Sequence, residues 1–186
     1  GQKGSHMVTK QLSDGLLLRS ISEGHASDAQ NLAPFYISIF QETDTDVSFR
    51  YWTGDLLSGH PTVTGDDIWV VVDPAKNEEI VSALLLIPQV WQYDGINLPV
   101  GRVELVATHN DYRRRGLVRD LMDALHERSE QSGHILQAIT GIPYFYRQFG
   151  YAMAVTLGEG VRVFLSAIKP PKDNQLPYTL RLATSA

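Results

Sequence analysis

Apolar residues recur along this chain in two different periods, and the change from one period to the other divides the chain into elements. Alternating or continuous apolar runs bounded by turn residues predict strands at residues 15–21, 68–72, 79–87, 100–108, 135–140, 151–157 and 161–168. Helical spacing predicts helices at residues 26–40, 47–57, 117–133 and 143–148. The predicted order of strands and helices is therefore βααβββαβαββ.

The three strands in the middle of the chain follow one another through turns at residues 73–74 and 94–95. They are expected to form an antiparallel meander. The helix after them is strongly amphipathic, with Leu117, Leu121 and Leu125 on one face. We predict an α/β (α+β) fold, a mixed and mostly antiparallel sheet of about seven strands flanked by helices.

The chain has 186 residues, of which 43% are hydrophobic and 20% charged, as in an ordinary globular protein with one sizeable core. Residues 1–7 end in Gly-Ser-His-Met and look like the remnant of an expression tag, so the domain is expected at residues 8–168. Residues 169–186 are expected to be a linker followed by an ordinary terminal strand. The alternative is the start of a truncated second domain, because residues 177–184 echo residues 16–22.

Global properties argue against several classes of protein. Without cysteine there is no disulfide, thiolate metal site or cysteine nucleophile. The net charge of -5 disfavours nonspecific nucleic-acid binding. No apolar run is long enough to cross a bilayer, so we expect no membrane partner and a cytoplasmic location. The histidines show no paired ligand spacing, so no metal site is expected.

Positive charge is concentrated around Gly116, where a strand leads into the amphipathic helix, at Arg113, Arg114, Arg115 and Arg119. At a helix N-terminus several backbone N–H groups lack a partner and the peptide dipoles leave about half a positive charge. A phosphate is stabilised there. Because cations at this end oppose the dipole when no anion is bound, the cluster indicates an anionic ligand.

This segment resembles the pyrophosphate-binding signature of the GNAT acetyltransferases: Arg or Gln, two residues, Gly, one residue, then Gly or Ala. Arg113 and Gly116 match the first two anchors, and Val118 stands where the signature has a small residue. An Arg-Arg-Arg-Gly-Leu run followed by an aliphatic residue is similar to the bacterial Eis-type branch, in which the chain would be the N-terminal half of a tandem protein. The Val118 side chain is then expected to point into the core.

A second match lies downstream. Tyr146, followed by three residues, Gly150 and Tyr151, resembles the family pattern for the short helix and turn before the sixth strand. The two motifs occur in the family's order, and the resemblance covers about residues 16–168. A dinucleotide-binding Rossmann domain is disfavoured, because the basic turn lacks Gly-x-Gly-x-x-Gly and follows an antiparallel meander.

The resemblance implies transfer of an acetyl group from acetyl-CoA to a primary amine by direct attack in a ternary complex, without a metal. In the family the fourth core strand splays from the fifth, and its open edge pairs with the pantetheine arm of CoA. The residues that match the family's cofactor contacts are Val106, Ala107, Thr108, Arg113, Arg114, Arg115, Gly116, Leu117, Val118 and Arg119.

Two side chains are candidate catalysts. Tyr146 is the candidate general acid toward the CoA sulfur, with a packed aromatic as the alternative role and Tyr144 as the second choice. Glu104 is the candidate base or water-relay carboxylate, and a structural ion pair with a neighbouring arginine is the alternative. Regular alternation along the strand predicts Glu104 on the same face as Val106 and Thr108.

The sequence does not identify the amine, which a small molecule or a peptide could supply, and it leaves homo-oligomerisation open. A different class of function is open as well: a non-catalytic domain that binds acyl-CoA, or that supports a second acetyltransferase half. The substitution at Val118 and the truncated-looking tail motivate this alternative.

Overall fold

The computed structural model describes residues 9–40, 48–142 and 144–155, together with residues 164 and 166. One compact unit is Gly1–Ala152 and the other is Met153–Ala186, most of which lies outside the described residues. The strands are β1 (Lys10–Gln11), β2 (Leu17–Ser20), β3 (Ile68–Asp73), β4 (Glu79–Tyr93), β5 (Ile96–Thr108) and β6 (Leu136–Ile139). The helices are α1 (Ala26–Phe40), α2 (Ser48–Leu57) and α3 (Leu117–Gln131). A 3-10 helix spans Phe145–Phe149, and we refer to it as the tyrosine helix because it carries Tyr146.

The strands form one 6-stranded sheet in the order β1-β2-β3-β4-β5-β6. Neighbouring strands are antiparallel except β5 and β6, which are parallel because α3 connects them as a crossover. The prediction of a mixed, mostly antiparallel α/β fold is confirmed. The predicted fourth and fifth strands are β5 and β6.

The strand count differs from the predicted one at both ends of the chain. Strand β1 is an addition, since two residues give no periodicity to read. Residues 151–155 are not in a strand, although one was predicted at 151–157. Of the second predicted strand of that pair, at residues 161–168, only positions 164 and 166 are among the described residues. The predicted tag and the predicted tail lie outside the described residues. The predicted domain bounds therefore stay predictions.

The central part of the sheet, at β3 and the first half of β4, is buried on both faces, which explains the long continuous apolar runs there. On one side Leu84 and Leu86 of β4 pack with Leu121 of α3. On the other side Leu85 packs with Leu32 of α1. We refer to these sides as the α3 face and the α1–α2 face. In the described part of the chain, no helix is both long and apolar enough to cross a bilayer.

A buried ion pair joins β2 to α1. Arg19, which is 3% exposed, donates through Nε to one Asp28 carboxylate oxygen at 2.9 Å and through Nη2 to the other at 3.0 Å. The Nη2 group also donates to Glu78 at 2.9 Å. Asp28 lies in the first turn of α1, where a negative charge is favoured by the helix dipole. This pair therefore fixes the start of α1 against the sheet.

Replacing Arg19→Met should lower the free energy of unfolding by about 3–5 kcal/mol, because it leaves a buried carboxylate without its partner. Urea unfolding measures the loss. The double variant Arg19→Met/Asp28→Leu should recover much of the stability, since no unpaired charge then stays buried at the pair. Asp120→Ala is the control: its partner Lys10 is exposed and 3.7 Å away, so the loss should be about 0–1 kcal/mol. Equal losses for the Arg19 and Asp120 variants would contradict this account.

Candidate active site

Strand β5 parts from β6 halfway along its length. The two strands pair from Val100 opposite Leu136 to Val103 opposite Ile139, and the pairing then stops. Beyond Val103, β5 continues to Thr108 with β4 on one side and, among the described residues, no strand on the other. The predicted splay is confirmed. It leaves an edge of backbone N–H and C=O groups that can pair with an extended ligand.

A β-bulge interrupts β5 beside this opening. Leu85 of β4 lies opposite Glu104, and Ala83 lies opposite Ala107, so one residue of β4 faces two residues of β5. Leu105, within the bulge, has a φ of 52°, in the left-handed region that favours glycine. Because of the extra residue, the side chains beyond the bulge point to the opposite face from the one that regular alternation would give them.

The prediction that Glu104 shares a face with Val106 and Thr108 is wrong for this reason. Glu104 lies opposite Leu85 and belongs to the α1–α2 face. Val106 packs with the core of the α3 face. The hydroxyl of Thr108 lies 2.8 Å from the Ser82 hydroxyl on that same face.

Glu104 is 8% exposed and forms an ion pair within its own strand. Its Oε1 atom accepts from Arg102 Nε at 2.7 Å and lies 2.5 Å from Arg102 Nη2. The hydroxyl of Thr140, just beyond β6, donates to the same oxygen at 3.4 Å. The carboxylate therefore reaches across the opening between β5 and β6. The arginine pair that was the alternative role for Glu104 is present.

Tyr146 lies on the other side of the opening. Its ring centroid is 6.4 Å from that of Phe149 and 6.3 Å from that of Tyr151, both of which pack with the core of the α3 face. The Tyr151 hydroxyl in turn lies 3.1 Å from Nε2 of His126 on α3. A Cβ added at Gly141 would lie 2.4 Å from Tyr146 Cε2, so the phenol ring rests directly on a glycine.

Burial raises the pKa of Tyr146 above its ordinary value, and the negative charge of Glu104 raises it further. The phenol therefore stays protonated at neutral pH, within electrostatic reach of the carboxylate. Tyr144 differs: it is 68% exposed, and the Arg147 guanidinium lies 4.6 Å from its ring centroid. Of the two tyrosines considered as a general acid, Tyr146 is the partly buried one, and it lies beside the opening.

The basic turn leads into the N-terminus of α3. Arg114 has a φ of 64° and Gly116 a φ of 80°, which turns the chain sharply into the helix. Gly116 is the N-cap and gives no side-chain hydrogen bond. The N–H groups of Arg119 and Asp120 both reach the Gly116 carbonyl. The N–H groups of Leu117 and Val118, the two helical residues before Arg119, can therefore donate to another acceptor, such as an anion.

The arginines of this region have different surroundings. The Arg115 guanidinium lies 4.6 Å from the Tyr112 ring centroid and donates to the Asp111 carbonyl at 3.0 Å. Arg113 and Arg114 are exposed, and no described residue pairs with their guanidinium groups. Val118 packs with the core of the α3 face, so its bulk does not fill the turn.

Sequence reasoning expected an arginine beside Glu104 without naming Arg102, and it missed Thr140 and Gly141. Arg102 had a local signal, because a residue two positions before Glu104 in a regular strand shares its face. Thr140 and Gly141 had none, since their contacts with Glu104 and Tyr146 depend on where β6 ends relative to β5.

An open, mixed sheet whose parallel strands part beside an uncapped helix N-terminus defines the class of fold. The chain belongs to the GNAT acetyltransferases: the family model described as "Acetyltransferase (GNAT) domain" matches residues 20–154, more than half of the chain. No curated protein sequence matches the chain.

Solved structures share this fold at low sequence identity. A probable N-acyltransferase from Enterococcus faecalis V583 superposes with a TM-score of 0.58 at 18% identity, covering 73% of this chain and 32% of that chain. AAC(6')-Iy in complex with the bisubstrate analog CoA-S-monomethyl-acetylneamine superposes with a TM-score of 0.57 at 11% identity, covering 80% of this chain and 99% of that chain. Eis1 from Mycobacterium abscessus superposes with a TM-score of 0.57 at 13% identity, covering 75% of this chain and 31% of that chain. The chain thus spans about a third of the length of the first and third of these proteins.

Glu104→Gln should lower the pKa of Tyr146, because removing a negative charge makes ionisation of the phenol easier. The pKa should stay above the ordinary value of about 10, since burial persists. NMR titration of ¹³Cζ-labelled tyrosine measures this, with Tyr146→Phe assigning the resonance. Glu127→Gln, which changes an exposed carboxylate on α3, should leave the pKa unchanged. An unaltered Tyr146 pKa in Glu104→Gln would show that the two groups do not share the opening.

Proposed function

We propose that this chain transfers an acetyl group from acetyl-CoA to a primary amine by direct attack in a ternary complex. One observation carries the proposal: the open edge of β5 beyond Val103 leads to the uncapped N-terminus of α3. An extended arm that ends in a diphosphate fits this pair of features, because the edge offers strand-like hydrogen bonds and the helix offers unpaired N–H groups.

The pantetheine arm would pair with the backbone of Val106, Ala107 and Thr108. The diphosphate would accept from the N–H groups of Leu117 and Val118, which Gly116 leaves accessible because it has no side chain. Arg113 and Arg114 would supply mobile positive charge. Arg115 and Arg119 would add to the positive potential from positions held by protein contacts.

The acid and base candidates lie on opposite sides of the opening. An amine arriving from the α1–α2 face would attack the thioester carbonyl, which a β5 backbone N–H would polarise. Glu104 would accept the proton that the amine loses, directly or through a water. The C–S bond then breaks, and Tyr146, which its raised pKa keeps protonated, would donate to the departing thiolate. No covalent enzyme intermediate is required. The proposal assigns no role to a metal.

A small-molecule amine is one acceptor class, as for AAC(6')-Iy, which shares the fold and was solved with the bisubstrate analog CoA-S-monomethyl-acetylneamine. A peptide amine remains the other acceptor class. The Eis-type assignment and the tandem arrangement stay predictions.

A second candidate function is a non-catalytic domain that binds acyl-CoA or supports another acetyltransferase half. The Arg102 ion pair favours it, because a carboxylate held by a guanidinium is less free to act as a base. The two functions separate in one experiment. Stabilisation by acetyl-CoA without acetylation of any member of an amine panel would indicate the binding domain.

Tyr146→Phe should lower kcat by about 100-fold or more, because the thiolate would leave without an acid. The KM for acetyl-CoA should change little, since the ring and its packing are kept. Steady-state release of free CoA thiol measures both. Tyr144→Phe is the matched control and should keep wild-type turnover, because that ring is exposed. Full activity of Tyr146→Phe would remove the tyrosine from the mechanism.

Acetyl-CoA at about 100 times its Kd should stabilise the folded chain by about 2.7 kcal/mol. Arg113→Gln/Arg114→Gln should require about tenfold more acetyl-CoA for the same thermal shift, because charge-assisted contacts to phosphate are lost. Lys10→Gln removes one exposed positive charge from β1 and should leave the titration unchanged. Equal ligand dependence of the wild type and the double variant would contradict a diphosphate site at this turn.

A further inference from the structure

Arg119 is directed at the tyrosine helix. It is the third residue of α3, and its Nη2 group donates to Gln148 Oε1 at 2.9 Å. Its guanidinium carbon lies 5.2 Å from the ring centroid of Phe149, the next residue. Gln148 Nε2 donates in turn to the Phe145 carbonyl at 3.2 Å. One side chain at the start of α3 therefore engages both the end and, through Gln148, the beginning of the tyrosine helix.

The tyrosine helix has little internal support. It is a 3-10 helix of 5 residues, flanked by Tyr144 at a φ of 69° and Gly150 at a φ of 91°. Short 3-10 helices have strained hydrogen bonds, so contacts with neighbouring elements fix their orientation. Phe149 packs on the core of the α3 face, and its exposed side is covered by the Arg119 guanidinium.

A cation in the first turn of a helix is disfavoured by the helix dipole. At Arg119 the hydrogen bond to Gln148 and the cation–π contact with Phe149 offset that cost. The backbone of the same residue closes the turn, because its N–H donates to the Gly116 carbonyl at 2.8 Å. Arg119 thus connects the proposed diphosphate turn to the helix that carries Tyr146.

We propose that Arg119 is a positioning residue, which holds the tyrosine helix on α3 so that the Tyr146 phenol faces the open edge of β5. The proposal rests on the proposed acetyl transfer. It reassigns the Arg119 guanidinium, which the family resemblance placed among the CoA contacts, from binding phosphate to orienting the acid.

Gln148→Leu separates these roles, because it removes the acceptor of Arg119 and leaves every positive charge in place. For a positioning residue, Arg119→Leu and Gln148→Leu should each lower kcat about tenfold, with the Kd for acetyl-CoA within about twofold of wild type. The loss in the double variant should be smaller than the product of the two single losses, since both variants remove the Arg119–Gln148 hydrogen bond. Arg147→Leu removes an exposed arginine of the same helix and should leave kcat unchanged.

Steady-state kinetics gives kcat, and calorimetry gives the Kd. The proposal is overturned if Arg119→Leu weakens acetyl-CoA binding tenfold at unchanged kcat while Gln148→Leu behaves like the wild type. Arg119 would then be a phosphate ligand. Additive losses in the double variant overturn it as well.

A readout that does not need turnover keeps this test separate from the proposed function. In the ligand-free protein, NMR titration should show the Tyr146 pKa shifted to a similar extent in Arg119→Leu and Gln148→Leu, and unchanged in Arg147→Leu. If the wild type acetylates no amine, the acetyl-transfer proposal fails while this result still decides whether Arg119 orients Tyr146. An unchanged Tyr146 pKa in Arg119→Leu and Gln148→Leu contradicts the positioning role.

Discussion

Strand β5 parts from β6 after Val103, and the rest of the candidate site depends on that interruption. Unpaired strand edges are usually shortened, charged or covered. Here the edge belongs to β5, the next-to-last strand of the sheet, and lies beside β6. Because no described strand separates the two faces at this point, groups from both can meet there. Glu104 reaches the opening from the α1–α2 face, and Tyr146 reaches it from the α3 face.

The bulge in β5 complements this interruption. Without the extra residue, Glu104 would lie on the same face as Thr108. The bulge instead places the Glu104 carboxylate on the α1–α2 face. The Tyr146 phenol, which the tyrosine helix carries, lies on the side of the α3 face. This division suits a reaction in which one reactant loses a proton and the leaving group gains one. The N-terminus of α3 adds a separate, electrostatic component at the end of the same strand.

The local elements were largely predictable from the sequence, and the site's geometry was not. Helix α1 has the predicted bounds, because its apolar spacing and turn residues are local signals. The basic turn was readable for the same reason. The bulge was not, since Leu105 is an ordinary apolar residue whose left-handed backbone follows from pairing with β4. The contacts of Thr140 and Gly141 likewise depend on the end of β6. Four neighbouring arginines also look equivalent in sequence, although Arg115 and Arg119 are held by protein groups.

The central claim is that the free edge of β5 receives the arm of acetyl-CoA. Hydrogen–deuterium exchange of the backbone amides at residues 104–108, with and without acetyl-CoA, tests it most directly. Rapid exchange without ligand and marked slowing on addition of acetyl-CoA are the expected result, because the amides that face the opening would then gain an acceptor. The account would be contradicted if the amides that face the opening were already protected without ligand, or if they exchanged equally fast with it.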